Sequence, residues 1–110
     1  MPWYDTVSFH AQQAAEKSLK ALLIRHQIEF GKTHNLGELL LLAEPVAPGL
    51  SGELAHVEPL TLYAVDARYP TESPPVRRDE ASRHLALARK VFDAVSQLLK
   101  PYLDAGRPGG

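Results

Sequence analysis

The chain has 110 residues, of which 45% are hydrophobic and 23% charged, a balance that suits one folded domain with one core and excludes a disordered chain. A formal net charge of −1 excludes the broad electrostatic footprint of a DNA-coating protein and leaves a local basic patch for RNA or a nucleotide. There is no cysteine, hence no disulfide frame or Cys-type zinc site; the longest apolar run, Leu39 to Ala43, is far too short to cross a membrane, and no basic-then-apolar leader opens the chain, so cytoplasm is the default location.

The first helix is predicted from about Asp5 to His26. Pro2 and Asp5 suit its start, and Gly31 lies just past its end. Its apolar line is Val7, Ala11, Ala14, Ala15, Leu19, Leu22 and Leu23, at three- and four-residue steps. Glu16 and Lys20 form an i,i+4 pair in the better orientation. Thr33 is the expected N-cap of a second helix, Leu36 to Glu44, which Pro45 stops. A turn follows at Pro45-Val46-Ala47-Pro48-Gly49.

A third helix is expected from near Ser51 to Arg68, with a kink or break at Pro59 and a stop at Tyr69-Pro70. After a loop from Thr71 to Pro75, the fourth helix runs from about Arg77 to Lys100. Its apolar positions are Ala81, His84, Leu85, Ala88, Val91, Phe92, Val95, Leu98 and Leu99, the clearest 3.6-residue pattern in the chain. Pro101 ends or bends it, and residues 106–110 form a fraying tail on a single domain spanning 1–105.

The expected architecture is therefore all-α: a small up-and-down antiparallel helical bundle of four helices, one interrupted by proline. The fourth helix, about 36 Å long at 1.5 Å per residue, outreaches the second. Part of its face then has no cover in one chain, which favours a two-fold homodimer.

Three sets of residues carry candidate chemistry. Gln12, Gln13, Glu16, Lys17 and Lys20 cover the polar side of the first helix. They read either as a solvated face or as a groove in which Lys17 and Lys20 meet a phosphate as point charges. His34 sits beside the expected cap, where its ring would support the turn. The histidines at 10, 26, 34, 56 and 84 show no H-x3-H spacing, so no metal site and no cofactor is expected.

Arg77, Arg78 and His84 form the third set. On a continuous helix Arg77 and His84, seven apart, share a face, whereas Arg78 points about 120° away. A histidine moves protons near pH 7 and an arginine holds a scissile phosphate, so together they could cleave RNA without metal, with the ribose 2′-hydroxyl as nucleophile. Against this, about one such Arg/His pairing is expected by chance in a chain with this many of each. His84 also falls in the apolar line of its helix, where a structural histidine is commoner.

The stretch Phe9 to Leu23, FHAQQAAEKSLKALL, followed by Thr33-His34-Asn35-Leu36, resembles the opening of HEPN domains, and the resemblance extends over about Tyr4 to Leu99. Ala67-Arg68-Tyr69-Pro70 is similar to an A/S-R-Y-P motif that precedes the last helix in the members paired with minimal nucleotidyltransferases. The resemblance implies an all-α bundle that dimerises through its helices. It also implies nucleotide binding beside a nucleotidyltransferase, or RNase toxin activity in a toxin–antitoxin pair. In the RNase members an R-x4-6-H pattern opens the last long helix, and Arg78-Asp79 with His84 fits it at five intervening residues, Arg77 at six.

The chain departs from the family pattern at several points. Asn35 stands where Asp is usual, and Ala64 where a second tyrosine often precedes the motif. Many relatives of that group carry alanine where His84 falls. Members usually have further residues before the first helix, so Trp3, Tyr4 and Phe9 are expected to face a partner.

The leading expectation is a cytoplasmic HEPN protein that binds nucleotide or RNA as the partner of a nucleotidyltransferase. Lys17, Lys20 and Arg68 would supply charge, and Tyr69 or Tyr63 would stack on a base. The alternatives are a metal-independent endoribonuclease using Arg78 (or Arg77) and His84, and a pure interaction module.

Overall fold

The computed structural model describes residues 3–64 and 76–105. All regular structure among them is helical: α1 (Trp3–Arg25), α2 (Leu36–Ala43), α3 (Leu50–Glu53), a 3-10 helix (Ala55–Tyr63) and α4 (Arg78–Ala105). The expected all-α bundle forms. The stop at Tyr69-Pro70, the loop over 71–75 and the tail over 106–110 lie outside the described residues.

The core is built mainly from leucine. Leu19, Leu22 and Leu23 of α1 and Leu36, Leu39 and Leu40 of α2 are fully buried, joined by Val57 and Leu60 of the 3-10 helix and Val91 of α4. Each such side chain contributes about 1.5–3 kcal/mol relative to exposure. Of the apolar line expected on α1, Ala14 is exposed and Val7 half-buried. Ser8, Gln12 and Glu16 are buried on the same helix.

Ser8 meets His84 of α4, and Gln12 and Glu16 are satisfied by one another and by the chain returning from α1. Gln12 Nε2 donates to Glu16 Oε1 (3.0 Å) and lies 3.3 Å from the His34 carbonyl. His34 Nδ1 sits 3.0 Å from the same Glu16 oxygen, and Lys20 Nζ is 3.0 Å from the other. Lys20 also lies over the Phe30 ring, 5.2 Å from its centroid. Burial alone would raise the Glu16 pKa. The hydrogen bonds from Gln12, Lys20 and His34, with the charge of Lys20, outweigh it and hold the carboxyl below its ordinary 4.5. The polar stripe of α1 is thus the seam that fastens residues 26–35 to the helix, and the His34 ring serves Glu16 rather than the α2 cap.

Helix ends differ in detail from the expected ones. α1 closes at Gln27, not Gly31: Gln27 is left-handed (φ 57), and Ile28 N bonds to Leu23 O and Gln27 N to Ile24 O, the paired bonds of a Schellman motif. α2 is capped by Asn35, whose side chain accepts from Glu38 N (2.8 Å). The expected cap, Thr33, sits one layer out. Its hydroxyl accepts from Asn35 N and donates to Glu38 Oε2. The third helix breaks at Leu54, before Pro59, and continues as a 3-10 helix. Leu54, Val57 and Leu60 are buried and Tyr63 half-buried. Their strict spacing of three forms a straight line only at three residues per turn.

α4 runs through Pro101 to Ala105. Tyr102 holds that last stretch, lying 4.0 Å under the Arg25 guanidinium and edge-on to His26 at 5.5 Å. At the other end of the helices, Asp5 Oδ1 accepts from Val76 N (2.7 Å) and Ser8 meets His84. α1 and α4 therefore lie side by side in the same direction, Ser8 beside His84 near their starts and His26 beside Tyr102 near their ends. This pair differs from the expected antiparallel arrangement because both the 26–35 segment and the α3–3-10 arm serve as returns. His56 beside Lys90 and Tyr63 beside His84 show that the 3-10 helix runs against α4.

Glu16→Ala should lower unfolding free energy by about 1–3 kcal/mol, because Gln12 and Lys20 lose a buried acceptor, as urea denaturation would read. The folded-state pKa of Glu16 is depressed, so its contribution is present above pH 4.5 and lost as pH falls through the folded value; Glu16→Gln should flatten that acid limb. Gln27→Gly should stabilise by about 0.5–1 kcal/mol by removing left-handed strain. Asn35→Ala should cost about 1 kcal/mol, more than Thr33→Ala.

Candidate functional site

The N-terminal halves of α1 and α4 and the end of the 3-10 helix meet at one corner. There Ser8 Oγ lies 2.7 Å from His84 Nδ1. The Tyr63 ring leans on the His84 ring at 4.6 Å between centroids and 44° between planes. Ser8 is fully buried and His84 half-buried. Burial pushes the His84 pKa below its ordinary 6.5; Glu80 opposes that and Arg83 reinforces it. Burial likewise raises the Tyr63 pKa above 10.0, helped by the Glu80 and Asp5 carboxylates. The corner thus favours an uncharged imidazole and an uncharged phenol. With the serine hydroxyl on Nδ1, the nitrogen left for another partner is Nε2.

The two arginines are placed differently. Arg77 precedes α4 at its cap: its N–H donates to Glu80 Oε1 (3.1 Å) and its carbonyl accepts from Ala81 N. Its Nε lies 3.2 Å from Glu80 Oε1 and 3.5 Å from Asp79 Oδ1. Arg77 is therefore folded onto its own first turn and does not share a helix face with His84. Arg78 opens α4, is exposed, and has no side-chain partner among the described residues. Six residues separate it from His84, which on a helix means about 9 Å along the axis and about 120° around it.

The lysines of α1 also separate. Lys17 is exposed, whereas Lys20 is largely covered and paired with Glu16. Arg68 and Tyr69 lie outside the described residues. The structure thus joins Lys20 to Glu16, and His84 to Ser8 and Tyr63, but does not bring the Arg77/Arg78/His84 set to one point. Among the described residues no group of three His, Asp or Glu side chains could hold a metal ion. No described helix is long and apolar enough to cross a membrane.

Ser8 went unnoticed in the sequence because 76 positions separate it from His84. The only local sign was its helical spacing: Ser8 and Gln12 continue the buried line of Ala11, Ala15 and Leu19. Of the aromatic residues at the start of α1, Trp3 is 73% exposed, while Tyr4 and Phe9 are half-buried.

No curated protein and no solved structure matches the chain significantly. The family model described as HEPN domain matches residues 1–98, nearly all of the helical bundle. That span contains α1 with its Gln12/Glu16/Lys20 seam, the capped α2, and the corner of Ser8, Tyr63 and His84. On that match the chain belongs to the HEPN domain family.

Proposed function

We propose that this HEPN domain is a cytoplasmic, non-cleaving, nucleotide- or RNA-binding partner of a nucleotidyltransferase in a toxin–antitoxin-type pair, and that it works as a two-fold homodimer. The observation that carries the non-cleaving reading is the position of His84. Its Nδ1 meets a fully buried serine and its ring packs on Tyr63. The guanidinium of Arg77 is folded onto Glu80 and Asp79. A histidine packed into the corner joint and an arginine folded back on its own first turn do not converge on one phosphate within the chain, which supports the non-cleaving reading.

Ligand contact in this reading falls to exposed Lys17 and to Arg68 and Tyr69. Lys20 tunes the local charge through Glu16, and Tyr63 is engaged with His84, so base stacking passes to Tyr69. The homodimer is supported by α4. Leu85, Phe92 and Leu103 are exposed there, and their spacings of seven and eleven put them on one face. A second reading, the endoribonuclease, draws on Arg78, exposed and without a side-chain partner among the described residues, and on a His84 that favours its neutral, base-competent form.

Purified protein should leave RNA intact, and His84→Ala should change nothing; cleavage by the wild type that His84→Ala abolishes would replace this reading with the endoribonuclease. In calorimetry with ATP or a short RNA, Lys17→Ala should weaken binding about three- to tenfold. No binding in either protein would leave only an interaction module. The His84 ring protons should titrate in NMR with a midpoint below 6.5. Because the folded pKa is lowered, the stability His84 contributes is complete above pH 6.5 and declines as pH falls through the folded value.

A further inference from the structure

A groove of about 580 Å³ runs between α2 and the arm formed by α3 and the 3-10 helix. None of the residues assigned above to ligand or catalysis lines it. Its apolar part comes from Leu41 and Ala55 over Leu40, and Leu41 is 67% exposed in the middle of α2. Two glycines keep the groove open. A Cβ at Gly52 would meet nothing within 4 Å. A Cβ at Gly37 would press to 3.0 Å against Glu58 Cγ and 3.2 Å against Asn35 Oδ1, so a larger residue there would have to push the Glu58 side chain aside.

The charged residues lining the groove are Glu38 and Glu58, and neither Lys nor Arg is among them. Glu38 takes one hydrogen bond from Thr33, and Glu58 has no side-chain partner among the described residues. An apolar trough with two carboxylates and no counter-charge complements one kind of ligand: an apolar anchor flanked by cations.

We propose that this groove docks a short basic amphipathic helix of a partner protein. Its apolar side chain sits on exposed Leu41 and Ala55, over the buried Leu40 that floors the groove, and its Lys or Arg residues reach Glu38 and Glu58. α2 is about 12 Å long, so the matching stretch is about two helical turns, the helix-in-groove mode of recognition. The inference is independent of the nucleotide and RNase readings, which use other surfaces.

The test is fluorescence anisotropy on the intact protein with a labelled Leu/Lys amphipathic helix of about fourteen residues, against its Leu/Glu counterpart. The basic peptide should bind and the acidic one should not. Glu38→Gln and Glu58→Gln should each weaken binding about three- to fivefold, and raised salt should do likewise. Gly52→Leu adds a side chain where space is open, favours the helix, and should weaken binding at least about tenfold by filling the trough. Thermal melting of Gly52→Leu at or above the wild-type temperature checks that the fold is kept. Equal binding of both peptides, absence of binding, or loss on Phe92→Ser rather than Gly52→Leu would overturn the proposal. So would self-association that Gly52→Leu removes, which would assign the groove to a second copy.

Discussion

The carboxylate of Glu16, buried on α1 and met by Gln12, Lys20 and His34, is the interaction on which the rest of the bundle depends. A buried charge is tolerated only when its lone pairs are occupied, and here one occupant comes from the segment returning from α1. From His34 the connection passes to α2, whose first N–H, that of Leu36, donates to Thr61 Oγ1 on the 3-10 helix. That helix ends at Tyr63, which packs on His84, and His84 closes the circuit on Ser8 of α1. Four polar or aromatic contacts thus set the register of the elements around a leucine core that alone specifies only burial.

This arrangement bears on function by assigning roles within the two residue sets that look most chemical. Gln12, Glu16 and Lys20 act as a seam, and Ser8, Tyr63 and His84 as a corner joint. What remains outward is Lys17, Arg78, the apolar stripe of α4 and the acidic trough beside α2. Among the described residues Arg77, Arg78 and His84 do not converge on one point, whereas a general base and a phosphate ligand must converge on one reacting atom; the proposed role in association draws on that arrangement.

Much of the fold was legible in the sequence because it follows from periodicity. The leucine pattern of α1 and α2 and the long stripe of α4 place those helices within a few residues of where they form. Proline and glycine were weaker guides. Pro101 removes one hydrogen bond and crowds the carbonyl of Gln97, yet α4 continues past it, with Tyr102 packed on Arg25 and His26. The left-handed residue after α1 is Gln27, although Gly31 is the better match to the usual preference. The run Leu54, Val57, Leu60, Tyr63 held a period of three that separates a 3-10 helix from an α-helix. Direction and long-range partners were not legible. Nothing local to Ser8 or His84 encodes their meeting, and the Gln12/Glu16/Lys20 stripe has the same spacing whether it faces water or a returning chain.

Amide hydrogen exchange on the wild type and Glu16→Ala tests the central claim most directly. If the carboxylate fastens the return from α1, protection should fall from His34 through Leu40 and into the 3-10 helix near Thr61, while the middle of α4 around Val91 keeps its protection. Loss of protection spread evenly over α1, α2 and α4, or no change near His34 and Leu36, would contradict it.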